Sequence, residues 1–333
     1  MARHDIIVMG GSAGALEVVL EIARGLPADF PAAVFVVIHC APTSPSYLPG
    51  LLDRAGPLPA DVTRDGQEIR RGRIYTARPD YHLMLEASRV RLTRGPKKNM
   101  FRPAVDPLFR SAALAYGPRV VGVVLSGGLD DGTAGLWAIK TRGGATIVQE
   151  PKEALVRSMP RSALRQTSVD YCLKVREIAP TLARLAAEPA AEVEEFPVPQ
   201  GLEIETRIAM QENAYQLGLE SLGEPSIFTC PECHGTLLRL KTGGGLRYRC
   251  HTGHAYTADS LLADLTEAVE GTLWDAVRSV QESALLMEHI AAHLQEAGNA
   301  ERAKLYRGKA AQALERSEQV RQAAMRQEAV SEE

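Results

Sequence analysis

The sequence predicts a doubly wound α/β protein with a mainly parallel sheet, followed by a small cysteine-bearing module and a C-terminal helical hairpin. Three observations carry this. Apolar, β-branched runs alternate with segments of helical period from about residue 5 to residue 187, the signature of strands joined by crossover helices. An acidic, proline-bearing break at Glu188–Gln200 ends that alternation. Beyond it come a cluster of cysteines and then a proline-free stretch rich in Ala, Leu, Glu and Arg from Thr257 onward.

Ile6-Ile7-Val8-Met9 reads as the first strand, and Ala13 to Arg24 as a helix carrying Leu16, Val19, Leu20 and Ala23 on one face. Ala33 to Ile38 is a second strand, followed by a loop with Pro42, Pro45 and Pro49. Arg73 to Ala77, His82 to Ala87 and Arg89 to Thr93 are short strands, the last two a hairpin. Val105 to Tyr116 is a helix, Val120 to Leu125 a strand, and Thr133 to Thr141 a helix stopped by Gly143-Gly144. Ala145 to Val148 and Tyr171 to Val175 complete the strands. Residues 188–201 form a linker, and Leu202 to Leu222 reads as one further helix. Residues 202–256 hold this helix and the cysteine module, and residues 257–333 form the hairpin. Its seam is Leu262, Leu265, Val269, Leu273, Ala276, Val280, Met287, Ile290 and Leu294, answered more weakly by Leu305, Ala310, Leu314 and Val320 across a break at Gly298-Asn299. A polar tail follows.

At 333 residues, 45% apolar and 24% charged, the chain has the composition of a soluble globular protein with room for more than one domain. Its net charge of −3 excludes bulk attraction to nucleic acid or anionic membranes. The apolar run after Met1-Ala2-Arg3-His4-Asp5 is too short for a signal peptide or a membrane span, so a cytoplasmic location is expected.

Three strand ends carry chemistry. The first strand leads into Gly10-Gly11-Ser12-Ala13-Gly14, the second into His39, and the Val120–Leu125 strand into Ser126-Gly127-Gly128-Leu129-Asp130-Asp131-Gly132. Parallel strands place these ends along one edge, where a nucleophile, a base and an orienting acid can meet. Gly10–Gly14 matches G-x-S-x-G at a strand-to-helix turn, with the Ala13 N–H as a candidate oxyanion donor. A glycine-rich first turn also suits a phosphate, although Ser12 replaces the second glycine of the dinucleotide fingerprint. Taken singly, His39 also reads as a structural histidine and Asp130-Asp131 as a helix cap; their joint placement favours catalysis. Cys40, next to His39, is expected to point away from it by strand alternation. The order Ser, His, Asp differs from the Ser, Asp, His order of lipase-type hydrolases.

Residues 5 to 185 resemble the catalytic domain of the chemotaxis protein-glutamate methylesterases, the CheB family. The resemblance rests on Gly10 to Gly14, Val36 to His39, Ile74-Tyr75-Thr76-Ala77 with His82-Leu83, Arg102-Pro103-Ala104-Val105-Asp106-Pro107-Leu108-Phe109, Leu125 to Gly132 and Met159-Pro160-Arg161. It implies a catalytic serine, histidine and aspartate at Ser12, His39 and Asp131, the aspartate being the one directly before the glycine. It implies hydrolysis of γ-methyl glutamate esters on chemoreceptor cytoplasmic helices, with possible glutamine deamidation and no catalytic cofactor. The sequence departs from the family pattern at Ala13, where threonine is frequent, and at Gly128, where the aspartate loop often has methionine. It begins at the first esterase strand, so a stand-alone form without the family's receiver domain, and without control by phosphorylation in cis, is expected. The competing readings are a catalytically silent scaffold on the same fold and a nucleotide-binding α/β protein.

Of five cysteines, Cys40 and Cys172 are isolated, whereas Cys230, Cys233 and Cys250 cluster with His254. In a reducing compartment the pattern Cys-x2-Cys and Cys-x3-His favours a closed, structural zinc site in a zinc-ribbon-like module. His251 or His234 is the alternative fourth ligand, and Thr242 to Gly245 reads as the intervening hairpin turn. Arg94, Lys97, Lys98 and Arg102 form a basic stretch that either steers an acidic partner or is a solvated loop.

Overall fold

The computed structural model describes residues 2–241 and 245–326. They divide into two compact units at Leu261 and Leu262.

The first unit is built on strands β1 (Ile6–Gly11), β2 (Ala33–Ile38), β3 (Ala60–Val62) and β4 (Arg73–Thr76), a separate hairpin of β5 (His82–Glu86) and β6 (Arg89–Thr93), and then β7 (Val120–Val124), β8 (Ala145–Gln149) and β9 (Tyr171–Leu173). Seven of them form one sheet in the order β3-β4-β2-β1-β7-β8-β9, with parallel neighbours throughout. The connecting helices are α1 (Ala15–Gly25), α2 (Leu48–Ala55), α3 (Val105–Tyr116), α4 (Thr133–Thr141), α5 (Ser158–Gln166) and α6 (Val175–Ala187). Ile7 and Met9 pack with Val19 and Ile22 of α1, Leu52 of α2 and Leu182 of α6. Ile6 and Val8 pack on the other face with Phe109 of α3, Ile139 of α4 and Met159 of α5. Burial on both faces is why these strands read as continuous apolar runs rather than alternating ones.

The strand order runs outward through β2 on one side of β1 and through β7 on the other. The chain reverses direction across the sheet there, and such a switch point opens a crevice at the carboxyl ends of the strands. Ser12, His39 and Asp131 follow β1, β2 and β7, three adjacent strands.

The helix expected over Leu202–Leu222 is shorter than the sequence suggests. Helix α7 (Gln200–Ala209) stops, Gln211 takes φ 72°, and a 3-10 turn covers Leu219–Leu222. Glu212 folds back onto Arg207, and the Asn213 side chain accepts from the N–H groups of Tyr215 and Gln216. Such local side-chain bonds compete with helix continuation.

An antiparallel sheet follows: β10 (Gly223–Thr229), β11 (Thr236–Leu240), β12 (Arg247–Cys250) and β13 (Ala255–Thr257), paired in that order. The expected turn at Thr242–Gly245 lies largely outside the described residues. Glu205 of α7 pins this sheet to the parallel-sheet core. Its carboxylate accepts from Arg110 of α3 and from Arg247 and Arg249 of β12, all four side chains being buried.

Helix α8 (Ala258–Glu296) leads into the second unit and is followed by α9 (Ala300–Met325). Gly298 at φ 77° ends one helix, and the Asn299 side chain accepts the Arg302 N–H to start the next. The seam keeps Val280, Met287 and Ala310 of the expected set but not its outer leucines. Ala284, Ala310 and Ala313 pack together with Val280 and Met287, whereas Leu305 and Leu314 are exposed. Small residues let the two backbones approach closely, and the larger ones are left at the margin. The tail from residue 327 lies outside the described residues. Among the described residues no helix is long and apolar enough to cross a membrane.

Candidate active site

Ser12 is the first residue beyond β1. Its N–H donates to the Ser126 carbonyl at 2.9 Å, so the serine turn is tied to the start of the aspartate loop. Gly14, at φ 79°, turns the chain into α1. Gly127 must lack a side chain: a Cβ there would stand 2.9 Å from Ser12 Cβ and collide with Met159 Sδ. These two glycines let the serine turn and the aspartate loop approach closely.

His39 continues β2 by one residue, its N–H donating to the Gly11 carbonyl at 3.1 Å. Its ring stacks on Phe101, with centroids 3.8 Å apart and planes 14° apart. Nε2 lies 2.7 Å from Asp131 Oδ2, whereas Nδ1 is buried without a hydrogen-bond partner. With Nε2–H donated to the carboxylate, Nδ1 carries the free lone pair.

Asp131 is almost completely buried and saturated with donors. Oδ2 accepts from His39 and from the Val105 N–H at 2.6 Å. Oδ1 accepts from Asn99 Nδ2 at 2.8 Å, the Gly132 N–H at 3.0 Å and the Asp106 N–H at 3.2 Å. Val105 and Asp106 open α3, so the carboxylate caps the positive end of that helix. Burial alone would push its pKa up; the bonds and charge from His39, with those from Val105 and Asn99, outweigh it and hold Asp131 below the ordinary carboxylate value.

Its neighbour Asp130 has the opposite environment. Burial pushes its pKa up to about 7, opposed by a 2.7 Å bond from Thr257 Oγ1 and reinforced by the charges of Asp259, Asp106 and Asp131. The adjacent aspartates therefore face different parts of the fold, and Asp131 is the one that meets His39. His82, also in the matching segments, is fully buried between the Pro96 carbonyl and the Ala104 N–H. Burial pushes it down to about 3, so it is a neutral structural ring.

Ser12 and His39 open into a cleft of about 440 Å³, whose walls include Met100, Phe101 and Arg102. Cys40 lines the same cleft, contrary to the alternation argument, because the chain has left β2 at Ile38. Burial pushes its thiol up, which keeps it a poor nucleophile. A larger depression of about 1050 Å³ at Asp61, Arg64, Arg78 and Tyr81 includes neither Ser12 nor His39.

The basic stretch is ion-paired, with Arg94 exposed to solvent and Lys98 buried. Arg94 and Arg102 both pair with Asp80, at 2.5 and 2.6 Å, and Lys97 pairs with Glu232 at 2.6 Å. Lys98 is buried with its ammonium on the Gly253 carbonyl. Asn99, Met100 and Phe101, within this stretch, were not singled out by the sequence. The available signal was Asn99 itself, since asparagine is enriched at left-handed positions and here has φ 48°.

The hairpins β10–β11 and β12–β13 bring Cys230, Cys233, Cys250 and His254 together, their ligand atoms all within 4.8 Å of one another. His254 Nδ1 lies 3.5 Å from Cys250 Sγ. The alternatives are turned to other uses: His234 takes φ 59° in the first knuckle, and the His251 ring covers Gly235.

A parallel α/β sheet with a hydroxyl, an imidazole and a buried carboxylate at the carboxyl ends of three adjacent strands defines a class, that of α/β proteins equipped as nucleophilic hydrolases. The CheB methylesterase family model matches residues 7–182, and the chain belongs to that family. It is 35% identical over 184 residues to a putative protein-glutamate methylesterase/protein-glutamine glutaminase of Leptospira interrogans, covering 55% of this chain and 95% of that relative. It is 40% identical over 184 residues to protein-glutamate methylesterase/protein-glutamine glutaminase 2 of Anaeromyxobacter dehalogenans, covering 55% of this chain but 54% of that one. The crystal structure of the Thermotoga maritima CheB methylesterase catalytic domain superposes with a TM-score of 0.53 at 34% identity, covering 54% of this chain and 98% of that one. The matches cover the parallel-sheet region of the first unit.

Proposed function

We propose that the chain is a serine hydrolase that removes methyl esters from glutamate side chains of a protein substrate, with residues 1–187 carrying the chemistry. The observation that carries this reading is the 2.7 Å His39–Asp131 pair, whose imidazole lines one cleft together with Ser12 while the carboxylate is buried behind it. Ser12 Oγ attacks the ester carbonyl carbon while His39 Nδ1 takes its proton. Asp131 holds Nε2–H and stabilises the imidazolium. The tetrahedral oxyanion is met by the Ala13 N–H at the positive end of α1. On collapse the C–O bond to the methoxy group breaks, and the leaving group departs as methanol with the proton from His39. Water, deprotonated by the same imidazole, then cleaves the acyl-serine to release the glutamate carboxylate and restore Ser12. A glutamine amide would follow the same path with ammonia leaving. Here Nδ1 is the base and Nε2 faces the acid, the reverse of the usual assignment. A chemoreceptor cytoplasmic helix is the substrate suggested by the family.

Methanol release from a methyl-esterified chemoreceptor fragment by the full chain tests this directly; no release above the uncatalysed rate would overturn it. Within the aspartate pair, D131N is expected to lower kcat on the order of 10⁴-fold by presenting the wrong hydrogen-bonding group to His39. D130N is expected to stay close to wild type in the same assay. The reverse pattern would assign the acid to Asp130.

We further propose that β10–β13 form a zinc-ribbon-like module closed by Cys230, Cys233, Cys250 and His254. Three soft thiolates and one imidazole satisfy a tetrahedral zinc ion and leave no open position, so the ion would be structural. The reduced chain is expected to carry about one zinc per chain by elemental analysis, and C233S markedly less. Protein that is folded and free of zinc would remove the proposal.

A further inference from the structure

The segment Lys97–Arg102 lies between the four-stranded sheet and the cleft. On the sheet side, Lys97 pairs with Glu232, Lys98 reaches the Gly253 carbonyl, and the Asn99 N–H donates to the Ala255 carbonyl at 2.8 Å. On the cleft side, Met100 and Arg102 line the wall and Phe101 stacks on His39. Asn99 is the junction, 4% exposed. Its Nδ2 donates to Asp131 at 2.8 Å and to Asp106 at 3.2 Å. Its Oδ1 accepts from the Thr257 N–H and from Ser260 Oγ, both at 3.2 Å. Both faces of the amide are thus committed, the donors to the acids and the acceptor to β13 and the start of α8.

We propose that Asn99 is a positioning residue for Asp131, and that residues 223–261 hold it in place, which makes the Cys3His sheet a working part of the ester-cleaving site. This rests on the assignment of Ser12, His39 and Asp131 above.

The physical need is clear from the surroundings of Asp131. His39 faces it from the end of β2, Asp106 and Arg110 from α3, Asp130 from its own loop, and His82 acts on it from β5. Two carboxylates so close repel, and an NH₂ group shared between Asp131 and Asp106 offsets that repulsion while fixing the direction of Asp131. An asparagine can do this only if its own oxygen is satisfied from the other side. Thr257 and Ser260 supply that. A turn residue serving only its φ of 48° would be replaceable by aspartate or glycine, both of which tolerate the left-handed region.

The test uses the full chain with N99D, N99G and S260A. N99D keeps the shape and the acceptor but replaces the donors by a carboxylate. The Asp131 carboxyl is followed by carbon-13 NMR titration, and kcat, KM and the acid limb of kcat/KM are measured on the methyl-esterified fragment. N99D is expected to move the Asp131 titration to higher pH by about one unit or more, to lower kcat at least about tenfold with KM little changed, and to move the acid limb the same way. N99G shifts in the same direction, and S260A does so by less. An Asp131 titration in N99D or N99G coincident with wild type overturns the positioning role. An unmoved titration in S260A overturns the support given by residues 223–261. If wild type releases no methanol while the Asp131 titration still moves, the esterase assignment fails and the positioning role stands.

Discussion

Ser12→Ala is expected to lose roughly 10⁵- to 10⁶-fold in kcat for methanol release, leaving a residual rate above that of water. The alanine cannot form the acyl intermediate, yet the cleft and the Ala13 N–H remain to bind and polarise the ester. KM should change little, because the serine hydroxyl contributes to bond making rather than to ground-state binding. Combining S12A with H39A and D131N is expected to cost little beyond S12A alone, since the three groups act as a unit. Fold should be unaffected: Ser12 contributes its N–H to the Ser126 carbonyl through the backbone, which alanine preserves. A fluorophosphonate probe should label wild type and not S12A, so the nucleophile is checked without knowledge of the natural substrate. Equal methanol release by wild type and S12A would remove Ser12 from the nucleophile role.

The second large effect is on stability. Glu205→Gln is expected to destabilise the first unit by about 3–5 kcal/mol at neutral pH, the usual cost of removing one partner from a buried ion pair. Three buried guanidiniums, those of Arg110, Arg247 and Arg249, would then face one another without their shared carboxylate. Burial alone would raise the pKa of Glu205; the charges of Arg110, Arg247 and Arg249 outweigh it and hold the carboxyl far below its ordinary value. A depressed carboxylate contributes stability that is fully present above the unfolded-state value of 4.5. That contribution is lost as pH falls from there toward the folded-state value. The gap between wild type and E205Q in urea unfolding should therefore be widest near neutral pH and narrow below about pH 4.5. A pH-independent gap, or none, would show that the cluster is not held by this charge. The same glutamate reaches α3, whose first N–H groups hold Asp131, so E205Q is also expected to lower kcat.

The elements that could be read from sequence are those set by local pattern. Val105–Tyr116 and Thr133–Thr141 are helices over the expected residues because spacing and flanking residues mark them. The β5–β6 hairpin is where alternation placed it. Where side chains compete for the backbone, as at Gln211–Asn213, periodicity misled. In the hairpin, Val280, Met287 and Ala310 of the expected seam meet Ala284 and Ala313, whereas Leu305 and Leu314 are exposed. In the basic stretch, charge in sequence carries no information about burial, and Lys98 and Arg102 find their partners at Gly253 and Asp80 only after folding.

By itself the sequence determined the parallel α/β class, the serine turn at the end of β1, the imidazole at the end of β2 and the three clustered cysteines, with the histidine beside them left open among His234, His251 and His254. Each depends on short-range spacing, which strand and knuckle geometry translate directly into position. Only the tertiary structure decided that β2, β1 and β7 are neighbours, which nitrogen of His39 faces Asp131, that Asp130 turns instead to Thr257, and that Asn99 joins the cysteine-bearing sheet to the acid. Those are contacts between residues such as Asn99 and Ser260, 161 positions apart. They arise from packing and from the need of every buried polar group for a partner, which no local pattern records.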